Sequence, residues 1–112
     1  MKYQHPTLAA GRWQKLSFLE QMANIGSEVE RAISWEEKQN KAYSQQAFER
    51  ALELLSLTIA DRKNKKRLKE LTRLYELLVD YFYGENQFSS SALLWRKYFY
   101  PLTYAARIKT GN

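Results

Sequence analysis

The 112-residue chain has no cysteine, one histidine, two prolines and four glycines. Without cysteine there is no disulfide framework, no thiolate zinc site, no iron–sulfur ligation and no cysteine nucleophile. That absence accords with a reducing compartment, and a cytoplasmic location is expected. The lone histidine, His5, stands beside Pro6 near the N-terminus, so no imidazole base serves the rest of the chain. No stretch approaches about 18 uninterrupted apolar residues, and the first eleven residues lack the apolar segment of a secretory signal, so no membrane is expected. Scarce glycine and proline, set against many Leu, Ala, Glu, Lys, Arg and Gln, leave a helix-forming composition.

What is present is enough for one core. Hydrophobic residues make up 45% and aromatics 14% of the chain, which excludes disorder over most of its length, and the length is that of a single domain. Residues 1–11 show no period and contain Pro6 and Gly11, which reads as a flexible N-terminal arm. From Arg12 to about Gln39, Phe18, Met22, Ile25, Val29 and Ala32 recur at spacings of four and three, the signature of one long first helix. A helix of some 28 residues would span roughly 42 Å. Gly26 lies within that stripe, where a neighbouring helix is expected to cross closely; a kink there is the alternative.

Ser44 reads as the N-cap of a second helix with Ala47, Phe48, Ala51, Leu52, Leu55 and Ile59 on one side. The run Asp61 to Lys65 interrupts the pattern. A third helix carries Leu68, Leu71, Leu74, Tyr75, Leu78 and Phe82 and closes at Gly84. Ser89 or Ser90 reads as the cap of a fourth, with Leu94, Trp95, Tyr98, Phe99, Leu102 and Ala105, which Pro101 should kink or divide. The expected fold is all-α, an antiparallel four-helix bundle over residues 12–112.

The net charge of +6 is focused rather than spread. Arg62, Lys63, Lys65, Lys66, Arg67, Lys69 and Arg73 face only Glu70 within that segment, which therefore holds the entire excess. Cations at a helix N-terminus oppose the helix dipole at about 0.3 to 1 kcal/mol each, a local cost without a structural return. A compact positive corner of this kind neutralises phosphates and releases counterions. A solvated, solubilising corner is the plain alternative, and an acidic protein partner a third.

Nine of the sixteen aromatics fall between Tyr81 and Tyr104. Trp95, Tyr98, Phe99 and Tyr100 span most of a helix circumference, so some of them are expected at the surface, where Trp95, Tyr98, Tyr100 and Tyr104 would form an interface or stack bases beside Arg96 and Lys97. Glu28 or Glu53 is placed to pair with Arg31 or Arg50 across the bundle. No Glu-x-x-His pair for a di-iron site, no arginine followed by the histidine of helical ribonucleases of the HEPN superfamily, and no phosphate-cradling glycine loop occurs. No catalysis, cofactor or metal is expected.

In size, charge and helix plan, and in the Arg62–Arg73 cluster and the Trp95–Arg107 helix, the chain resembles the small basic four-helix-bundle accessory proteins of diversity-generating retroelements and the related proteins of ribosomal RNA intervening sequences. The resemblance implies RNA binding, ring assembly and assistance to a reverse transcriptase. The expected function is a non-catalytic accessory protein that binds nucleic acid, RNA in preference to DNA, and self-associates or engages a protein partner. The alternative is a helical adaptor for a nucleotidyltransferase or toxin, with no nucleic-acid binding.

Overall fold

The first helix begins where the backbone is capped, not where the apolar stripe is first readable. In the computed structural model, which describes residues 11–109, Ser17 accepts the Glu20 N–H while the Glu20 carboxylate accepts the Ser17 N–H, a reciprocal capping box. Helix α1 accordingly spans Phe18–Glu37, preceded by a short 3-10 turn at Trp13–Lys15. Its 20 residues equal those of α2, so the expected start at Arg12 is corrected to Phe18. Of the N-terminal arm expected over residues 1–11, only Gly11 lies within the described residues.

Gln39 adopts a left-handed φ of 61° after the end of α1, and Asn40 accepts the Tyr43 N–H at 3.1 Å. Helix α2 therefore runs Lys41–Ala60, and Ser44 is not its cap. Ser44 is buried inside α2, where its hydroxyl donates to the Ala32 carbonyl of α1 at 2.7 Å. A six-residue 3-10 segment, Arg62–Arg67, leads without a break into α3, Leu68–Phe82. After α3, Asp80 accepts the backbone N–H groups of Gln87 and Phe88 at 2.8 and 3.1 Å, fixing the turn to α4, Ala92–Lys109. Ser91, rather than Ser89 or Ser90, caps α4 by accepting the Leu94 N–H at 3.2 Å. Pro101 does not divide that helix.

The described residues form four helices and no strand, with α1 packed on α2 and α4, and α3 packed on α2. Met22, Ile25, Val29 and Ile33 meet Ala47, Phe48, Ala51 and Leu55 in the core, closed by Leu71 and Leu78 of α3 and Trp95 and Phe99 of α4. Leu68, expected to face inward, is 44% exposed because it lies on the first turn of α3, beside the charged corner. No helix among the described residues is long and apolar enough to cross a membrane.

Two contacts set α4 against α1. Gly26 is the crossing point: a Cβ there would lie 2.8 to 3.0 Å from the Cδ1, Cβ and Cγ atoms of Phe99. Arg96 spans Glu30 and Glu37 with four hydrogen bonds of 2.8 to 3.2 Å. Beside them Glu28 bridges α1 to α2, accepting from Arg50 at 2.7 Å and pairing also with Arg31. Gly26→Ala should raise helix propensity by about 1 kcal/mol yet lower net stability by about 1 kcal/mol, because the obstructing atoms include the fixed base of the Phe99 side chain. Urea denaturation of the two proteins checks this; a midpoint that rises in the variant would overturn the close crossing.

Candidate nucleic-acid interface

The basic corner stands on a buried polar knot. Trp13 Nε1 donates to the Thr58 hydroxyl at 2.9 Å, which donates onward to the Leu54 carbonyl at 2.8 Å. Gln21 Nε2 donates to the Trp13 carbonyl and to Asp61 Oδ2 at 3.1 and 2.9 Å. Gln21 Oε1 accepts from Asn64 Nδ2 at 2.9 Å, and the same amide nitrogen donates to the Thr58 carbonyl at 3.0 Å. Trp13, Gln21, Leu54, Thr58, Asp61 and Asn64 are all buried, so each polar group needs its partner. None of these polar side chains was singled out from sequence, although Asn64 is the one neutral residue in Arg62–Arg67, the position that faces inward.

A 3-10 helix repeats every three residues, and this repeat explains the shape of the corner. With Asn64 turned into the knot, Arg62 and Lys65 follow one outer ridge and Lys63 and Lys66 the other. Asp61 caps the segment by accepting the Lys63 N–H at 3.2 Å, and its carboxylate also pairs with the Lys63 ammonium. Burial pushes the Asp61 carboxyl upward, but its hydrogen bonds from Lys63 and Gln21 outweigh that, so it ionises below its ordinary value of 3.8.

The seven expected cations divide into two groups. Lys63 is held by Asp61 and the Gln14 carbonyl, Arg67 lies over the Phe18 ring at 4.1 Å, and Arg73 lies over Phe88 at 4.4 Å with Glu76 at 3.4 Å. Arg62, Lys65, Lys66 and Lys69 are exposed and form no ion pair among the described residues. Lys66, Lys69 and Arg73 border one open depression, together with Glu70, Thr72 and Glu76.

On α4 two of the expected site residues are corrected. Arg96, expected to hold a nucleic-acid backbone beside the α4 aromatics, is turned toward α1 by Glu30 and Glu37 and clamps the two helices. Its hydrogen bonds hold the Glu30 carboxyl below its ordinary value despite partial burial, while the two carboxylates raise the guanidinium pKa. Trp95 is 5% exposed and packs against Phe99 and Tyr81, so its ring is mostly core and reaches the surface only where it helps line the cleft between α3 and α4. Its buried indole N–H has no acceptor among the described residues. Lys97 is exposed, as are Tyr98, Tyr100 and Tyr104, the last two at 61% and 68%. Burial raises the Tyr98 phenol pKa, helped by the negative charge of Glu70.

No group of three or more His, Cys, Asp or Glu that could hold a metal is found among the described residues. Compared with models of known protein families, with curated protein sequences and with solved structures, the chain matches none.

The lowered Asp61 pKa makes the knot sensitive to acid. Its stabilisation is complete above the ordinary value of 3.8 and is lost as pH falls through the lowered folded value. Asp61→Asn should therefore be less stable than the parent at neutral pH by about 2 kcal/mol, since buried bonds to a charged group are broken or weakened. Thermal melts from neutral pH to about pH 2 should show the gap closing in acid; a gap independent of pH would remove the ionised Asp61 from the knot.

Proposed function

We propose that this chain is a non-catalytic nucleic-acid-binding protein, directed to RNA in preference to DNA, whose phosphate-binding surface is the corner formed by Arg62, Lys65, Lys66 and Lys69, with Arg73 at its edge. The observation that carries the reading is that these four cations are exposed and have no ion-pair partner among the described residues, three of them on a 3-10 segment anchored from beneath by buried hydrogen bonds and Lys69 on the first turn of α3. An unneutralised cluster on a fixed backbone meets a phosphate chain with little ordering cost. Lys63, Arg67 and Arg73 add to the local positive potential even while engaged.

The same proposal includes an antiparallel arrangement of the helices, which the three-residue connection between α1 and α2 supports. It also includes a cytoplasmic, accessory role of the kind that the retroelement resemblance implies. The outward Tyr100 and Tyr104 of α4 would then serve self-association or a protein partner. That exposed face is also the feature that favours the adaptor reading, in which the corner meets an acidic protein.

The experiment is a titration of labelled single-stranded RNA at about 50 and 200 mM salt, followed by fluorescence anisotropy. Four neutralised phosphates should weaken binding by roughly fifty-fold across that range. Lys65→Glu, Lys66→Glu and Lys69→Glu combined should abolish most of the binding and flatten the salt slope. These positions are exposed, so the variant should keep its helical circular dichroism. Unchanged affinity and slope in the triple variant would place the phosphate site elsewhere.

A further inference from the structure

The basic depression does not end at Arg73. Glu70 and Arg73 border it and also border a second, apolar cleft between α3 and α4, of about 310 Å³, walled by Leu74, Leu77, Leu94 and Tyr98. That volume stands at the lower end of small-ligand clefts, which run from about 300 to 1,000 Å³. A surface rich in positive charge thus leads directly into an apolar slot. Leu94 is 54% exposed and Tyr98 37%, so the slot carries apolar surface that water covers poorly.

The mouth of the slot is held in place. The Arg73 guanidinium lies 4.4 Å from the centre of the Phe88 ring. Phe88 in turn stands on a turn fixed by Asp80, which accepts the N–H groups of Gln87 and Phe88, and by Asn86, whose side chain accepts the Ser90 N–H and donates to the Ser90 carbonyl. A planar guanidinium stacked on one side by a ring keeps its other side available to a flat partner. Glu70, at the border, repels a phosphate and tolerates a neutral base.

We propose that this cleft takes one unstacked base of a single-stranded nucleic acid, whose sugar–phosphate chain continues along Lys69 and Lys66. The inference rests on the nucleic-acid reading above and adds to it a requirement for the base itself. A duplex keeps its bases stacked and paired, so only a single strand, a loop or a bulge presents the group that the cleft fits. Tyr98 and the leucines supply contact with the base face, which is indifferent to sequence because every base has one.

The test compares a labelled RNA strand of about twelve nucleotides with the same strand carrying abasic residues, at equal salt. Phosphate number is identical in the two probes, so any difference belongs to the bases. The natural strand should bind about tenfold more tightly than the abasic strand, with the same salt slope. Leu94→Gln, at an exposed position, and Tyr98→Ala should each bring affinity for the natural strand down toward the abasic level. Both should leave affinity for the abasic strand unchanged. Equal binding of the two probes with a steep salt slope would overturn the base slot while leaving the basic corner standing. No binding of either probe at about 50 mM salt would overturn the corner and the slot together.

Discussion

Gln21 and Asn64 face each other at the meeting of four segments, and their amide pair is the constraint on which the rest of this small structure depends. One amide reaches the Trp13 carbonyl and Asp61, the other the Thr58 carbonyl, so the pair ties the entry to α1, the end of α2 and the 3-10 segment into one unit. Burying such groups without partners costs about 1 to 3 kcal/mol apiece. With every donor placed, the network instead specifies a single geometry, because any shift of one segment leaves another's polar group dry and unpaired.

That geometry makes the charged segment affordable to the fold. Six successive residues, five of them cationic, would repel one another in any conformation, and at the head of α3 they also face the positive end of its dipole. The 3-10 path reduces the conflict by turning the neutral Asn64 inward and splaying the cations over two ridges. Arg67 spends its charge on the Phe18 ring and Lys63 on Asp61. What remains is a set of four cations that contribute nothing to folding that the contacts reveal.

Much of the architecture was legible because it follows from periodicity. The stripe from Phe18 to Ala32, the bounds of α3, the close approach at Gly26 and the Glu28–Arg50 pair can all be read from spacing and residue type. Cap positions were less so: Ser17 and Glu20 form a readable capping box that the longer apolar stripe obscured, and Ser91 competes with two adjacent serines. The polar knot was not legible, since Gln21 and Asn64 lie 43 positions apart and neither belongs to a hydrophobic pattern. The inward direction of Trp95 and Arg96 was not legible for one reason. On a helix aromatic around most of its circumference, the inward direction is set by its neighbours, here Gly26 and the two glutamates of α1.

The α1–α4 contacts have a mechanical meaning. Phe99 against Gly26 fixes how far apart the two helices stand, while Arg96, reaching two glutamates seven residues apart, fixes the sliding position of one along the other. A rod pinned both in depth and in length has little freedom left to roll. Tyr100 and Tyr104, exposed on that rod, consequently behave as teeth on a fixed rack: whatever meets them encounters a spacing set by the core, and must conform to it.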